Sequence, residues 1–235
     1  LTLESAPTKG TNTVTVTYRK GEGARAEVTA MRFSELYNGS TDTRVFLYGD
    51  GTNKTIYSGI DGDTGQPTAE YFPDLYEAEV GDSNTPITAL VRHYARLLAF
   101  KQGSAWSVQY GTINLDDGSV TSAFYVLPVN RQFGNDAPGQ VLLLENNPLT
   151  LDGDSIYQWK STSSSGYITD SERNANRISD RIAVALSAFD FTKTHAFNRK
   201  QEHEYWLLYG GKAVILNYSN DSWYIYTNMP FVQML

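Results

Sequence analysis

Asp61-Gly62-Asp63-Thr64-Gly65 has residue types and spacing that could hold a metal ion. Calcium loops set carboxylates at alternate positions so that several oxygens converge on one ion. Asp61 and Asp63 alternate in this way, but no Glu stands at the twelfth position of such a loop, so the pattern is incomplete. Asp152-Gly153-Asp154 repeats its short form. Both segments read first as Gly/Asp turns, with Asp61 and Asp63 kept as the candidate metal pair.

Other residues invite binding rather than ion chemistry. Arg173, Arg177 and Arg181 recur every fourth residue and would line one face of a helix, where a basic stripe can grip phosphate or an acidic partner. Glu172 and Asp180 could equally pair with them on a solvated face. Tyr71, Trp106 and Trp159 are rings that could stack on a sugar, and rings of this kind also pack across strands. The three histidines, His93, His195 and His203, show no zinc-helix spacing, and there is no cysteine to join them. His195 and His203 read as ordinary members of one strand–turn segment.

Reaction motifs are missing. There is no Gly-x-Ser-x-Gly elbow, no phosphate loop and no Ser-x-Asp-x-Gly-x-Thr-Trp turn of the sialidase kind. Carboxylates are plentiful, but none is singled out as a glycosidase pair. The expectation is a protein that is not an enzyme and carries no cofactor.

The elements that must position these residues are strands. A cassette of apolar strand, polar turn and aromatic-centred strand recurs down the chain. It runs from Arg44–Tyr48 to Tyr57, from Arg96–Phe100 to Trp106, from Val141–Leu144 to Tyr157, and from Tyr205–Tyr209 through Ala213–Leu216 to Trp223. Tyr57, Trp106 and Tyr157 lie about 50 residues apart, the period of propeller blades. The later position of Trp223 is laid to an insertion at 161–186. Within it Ala175, Ile178 and Ile182 have helical spacing, so a helix is expected over 171–182. Residues 12–20 and 27–37 read as strands, the first able to complete the last blade, and 120–129 adds another. The long polar stretch Asp50–Pro86 and the Ser161–Ser171 loop read as interaction elements.

Strand does not alternate with helix, so a parallel α/β sheet is excluded. The fold expected is all-β: a propeller-like array of small antiparallel sheets, about four to five blades, with one short helical insertion. A single domain is expected over 1–235, as a whole protein or as a fragment of a longer chain. The sequence has 235 residues, net charge −7 and no cysteine, so disulfide-stapled folds and broad electrostatic binding to nucleic acid are disfavoured. No apolar run reaches the length of a membrane span.

Tyr71-Phe72-Pro73-Asp74, Val80-Gly81-Asp82-Ser83-Asn84, Ile87–Leu90 and Arg96–Lys101 resemble, in strand order and aromatic placement, the β-propeller-like virion proteins of tailed bacteriophages and prophages. So do Asp154–Tyr157, Arg173–Ala175, Ile178–Ile182 and Glu204–Trp206. The resemblance covers about residues 27–230. It implies a structural part in the tail, neck or nozzle, made in the host cytoplasm and located in the virion. It also implies contact with other virion proteins, a homo-oligomeric ring, and passing contact with DNA through the arginine stripe. The alternatives are a carbohydrate- or receptor-binding propeller module and, third, a glycoside hydrolase.

Overall fold

The computed structural model describes residues 25–61, 63–114, 116, 118, 120–161, 166–168 and 174–229. They form a four-bladed β-propeller, each blade a four-stranded antiparallel meander. Blade 1 comprises β1 (Phe33–Asn38), β2 (Thr41–Tyr48), β3 (Lys54–Tyr57) and β4 (Glu77–Glu79). Blade 2 comprises β5 (Ile87–His93), β6 (Arg96–Lys101), β7 (Ser104–Asn114) and β8 (Val120–Asn130). Blade 3 comprises β9 (Leu142–Leu144), β10 (Asn147–Asp152), β11 (Ser155–Trp159) and β12 (Ala175–Arg177). Blade 4 comprises β13 (His195–Arg199), β14 (Glu204–Tyr209), β15 (Lys212–Asn217) and β16 (Ser222–Tyr226).

The first strands begin at Phe33, Ile87, Leu142 and His195, 53 to 55 residues apart, so all four blades keep one period. The displaced aromatic anchor therefore has another cause than an insertion. Tyr57, Trp106 and Tyr157 lie on third strands, whereas Trp223 lies on the fourth strand of its blade. The third strand of blade 4 carries Val214, Ile215 and Leu216 instead of an aromatic residue.

Two local expectations are corrected. Residues 25–30 form a short helix, α1 (Arg25–Ala30), and the strand begins only at Phe33. The helix expected over 171–182 is not formed among the described residues. Ala175–Arg177 pairs with Tyr157–Trp159 as an edge strand, a 3-10 turn covers Asp180–Ile182, and only α2 (Ala183–Leu186) is helical. Three apolar residues at helical spacing are too few to nucleate a helix against the hydrogen bonds that blade 3 offers. The strand expected at 12–20, and the closure of the last blade by it, lie outside the described residues.

Among the described residues, blades pack face to face through three apolar seams. Between blades 1 and 2 lie Tyr37, Phe46, Tyr48, Tyr57, Leu90, Leu97 and Val108, with Phe124 against them. Between blades 2 and 3 lie Val91, Leu98, Phe100, Val129 and Trp159. Between blades 3 and 4 lie Leu144, Leu149, Leu151, Ile156, Leu207, Val214 and Leu216, roofed by Ile182 and Leu186 of the 3-10 turn and α2.

Polar clasps fix the linkers. Lys101 is fully buried, and its ammonium donates to the Val80 and Asp82 carbonyls at 2.8 and 2.6 Å and to the Asp82 carboxylate at 3.3 Å. Asn135 binds the Leu151 N–H and the Ala137 carbonyl, holding the linker between blades 2 and 3. Gly134 must lack a side chain, because a Cβ there would stand 1.9 Å from the Lys101 carbonyl oxygen.

Candidate functional site at the propeller axis

First strands of neighbouring blades approach one another, β1 against β5 and β9 against β13, and so line the axis. At the C-terminal ends of β1 and β5 they leave a cavity of about 550 Å³. It is lined by Glu35 and Leu36 from β1, Val91 and Arg92 from β5, Tyr94 from the β5–β6 turn, Leu143 from β9 and Asn146 from the β9–β10 turn. Blade 4 reaches the same level, where the Asn198 amide donates to the Leu143 carbonyl at 3.4 Å.

The two turns at this mouth are built on left-handed backbone. Glu145 and Asn146 both have positive φ, 48° and 67°, which gives the tight two-residue hairpin that matches strand twist. Tyr94 has φ 53°, a conformation rarely adopted by a bulky residue. His93, buried behind it, faces the Asn146 backbone of the other turn. Burial holds its imidazole below the ordinary pKa, against the opposing hydrogen bond to Asn146. The rings of His93 and Tyr94 meet edge to face at 4.6 Å, and Tyr94 meets Tyr167 at 6.2 Å and 84°. The Arg96 guanidinium sits 4.5 Å over the Tyr167 ring.

A carboxylate, a guanidinium, a phenol and a carboxamide thus converge on apolar walls. This is recognition chemistry: donors and acceptors set around a ring. A smaller cavity of about 210 Å³ lies at the N-terminal ends of β1 and β5, between Phe33, Pro86, Ile87 and Pro138 with Arg32 beside them. No protein-family model matches the chain, and no curated protein matches it.

The residues picked from sequence lie elsewhere and are not brought together. The Asp61 carboxylate accepts the N–H groups of Asp63 and Thr64, both at 2.8 Å, capping the small hairpin closed by the Ile60–Pro67 bridge. Those bonds hold its pKa below the usual range. Among the described residues no group of three or more His, Asp or Glu is placed to hold a metal. Asp152 caps the Gly134 N–H at 2.5 Å, and Asp154 accepts from the Ser155 hydroxyl.

The arginine stripe does not exist as one helical face. Arg177 on β12 pairs with Asp180 at 3.0 Å, Arg181 in the 3-10 turn donates to the Asp221 carbonyl at 3.4 Å, and Arg173 lies outside the described residues. Trp159, one of the stacking candidates, is fully buried, bonded to Thr150 at 2.8 Å and packed on Phe100. It is a core residue and cannot meet a ligand. Trp106 is half-buried over Gly81, where a Cβ would stand 2.5 Å from its ring. Tyr71 is exposed but packs over Gly59 at the rim of blade 1.

From the sequence His93 drew notice only as one of three histidines without zinc spacing, and Glu35, Arg92, Tyr94 and Asn146 carried no motif. The signal within reach was the pair of strand-bounded two-residue turns with non-glycine residues. Which residues of different blades face one axis is not a local property.

Proposed function

We propose that this chain is a structural component of a tailed-phage or prophage virion, in the tail, neck or nozzle. It works by protein–protein contact within a homo-oligomeric ring and with other virion proteins. The observation that carries the contact reading is the β7–β8 hairpin. Its strands are 11 residues each, the longest among the described residues. Register puts Ile113, Tyr125 and Leu127 on one face of it, and these are 44, 49 and 47 % exposed. The other face is anchored by Phe124, whose ring meets those of Phe46 and Tyr57 at 5.0 and 4.6 Å. A long edge strand with exposed apolar residues invites association and is normally guarded unless it is used. The virion setting rests on the likeness of strand order and aromatic placement.

The test is composition of particles. Gradient-purified tailed-phage particles from the strain encoding this chain should contain it by mass spectrometry. A Tyr125→Lys, Leu127→Lys double variant should fold but be left out of them. Absence of the unaltered chain from the particles would sink the reading.

A further inference from the structure

We propose that the axial cavity beside Tyr94 binds a neutral pyranose, a site that goes beyond the assembly reading and stands or falls separately from it. A pyranose presents an apolar C–H face and a belt of hydroxyls that each donate and accept. The cavity supplies the counterpart of both. Tyr94 is 50 % exposed at the mouth, braced edge to face by His93 and Tyr167. The same cavity is lined by Asn146, by Arg92 and by Glu35, whose carboxylate also accepts the Leu36 N–H at 3.0 Å. The Tyr94 hydroxyl and the Asn146 amide make no hydrogen bond among the described residues.

Three features select the ligand class. The volume, about 550 Å³, is in the small-molecule range of roughly 300–1,000 Å³. Glu35 and Arg92 bring opposite charges, so the wall is neutral in sum and favours a neutral guest over an anion or a cation. Leu36, Val91 and Leu143 give the apolar surface that a C–H face needs.

The backbone points the same way. Tyr94 and Glu145 hold left-handed conformations, which residues of this type adopt only at a cost. A glycine would adopt either without strain. The left-handed backbone at Tyr94 sets its ring at the mouth, and the edge-to-face contacts with His93 and Tyr167 hold it there before any ligand arrives.

Saturation-transfer NMR and calorimetry with methyl glucoside, methyl galactoside, methyl mannoside and N-acetylglucosamine test this, with sialic acid as the anionic comparison. At least one neutral sugar should bind with a Kd of about 1 mM or tighter. Tyr94→Ala should weaken it about tenfold or more, Tyr94→Phe should retain most of the affinity, and Tyr71→Ala should leave it unchanged. Asn146→Ala should weaken binding severalfold, and decides the matter if Tyr94→Ala melts early. The proposal is overturned if no neutral sugar binds, if only sialic acid binds, or if neither Tyr94→Ala nor Asn146→Ala alters binding.

Discussion

The seam between blades 1 and 2 and the seam between blades 3 and 4 do the same mechanical job with different chemistry. The first is aromatic: Phe46 stacks on Tyr57 at 5.3 Å, while Phe124 meets both edge-on. It also shelters a buried cation, Arg44, whose guanidinium lies 5.7 to 5.9 Å from the ring centres of Tyr57, Tyr76 and Phe124 and donates to the Ser58 carbonyl. Burial lowers its pKa, with the rings around it opposing the shift. A second buried cation, Lys101, clasps the linker that joins the same two blades. The 3–4 seam is aliphatic, filled by Leu144, Leu149, Leu151, Leu207, Val214 and Leu216. Blade geometry therefore asks for buried volume on both faces and does not ask for an aromatic residue. An aromatic anchor marks a blade only where the local seam happens to be built from rings.

Four perturbations test that contrast. The largest effect is expected at Leu151→Ala, which empties close-packed aliphatic space and should cost about 3–4 kcal/mol in urea unfolding. Equal tolerance there and at surface positions would contradict the close-packed 3–4 seam. Lys101→Met comes next, at about 3 kcal/mol, because the Val80 and Asp82 carbonyls lose their donor. Hydrogen exchange should show the 80–86 linker opening first, and a change confined to β6 would argue against the clasp. Phe46→Leu keeps most of the volume but breaks ring contacts, and about 1.5 kcal/mol is expected from the melting midpoint. If it costs as much as Leu151→Ala, the aromatic seam is no more forgiving than the aliphatic one. The smallest effect belongs to Arg177→Ser, whose exposed pair with Asp180 should contribute no more than about 0.5 kcal/mol.

The pH dependence has a defined sign at the axis. His93 is held neutral by burial, so as pH falls the unfolded chain takes up the proton first. Its contribution to stability is complete above about pH 7 and declines as pH drops through about 6.5, where an unfolded histidine titrates. Chemical denaturation at stepped pH should show this decline, and His93→Phe should flatten it.

Local pattern made the strands and their order legible. The Arg96–Phe100 run and the Val120–Val129 stretch each mark strands that exist. Two-residue polar turns between apolar runs forced antiparallel meanders, and with no helix alternating, an all-β repeat followed. The failures share a cause. Helical spacing at 175–182 and an aromatic residue at 223 were each read alone, whereas blade 3 needed a fourth strand and blade 4 already had its third. Trp159 looked like a ligand platform because sequence shows a ring but not its surroundings, and Phe100 and Thr150 enclose it.

By itself the sequence determined what is short-range: strand, turn, the repeat of about 50 residues, and a composition able to bury a core without disulfides. Only the tertiary structure decided which rings are core, which cations are clasped, and which residues share the axis. Glu35, Arg92, Tyr94 and Asn146 come from three blades and meet because the blades pack about one centre. That meeting depends on seam packing summed over the whole molecule, and no window of sequence contains it.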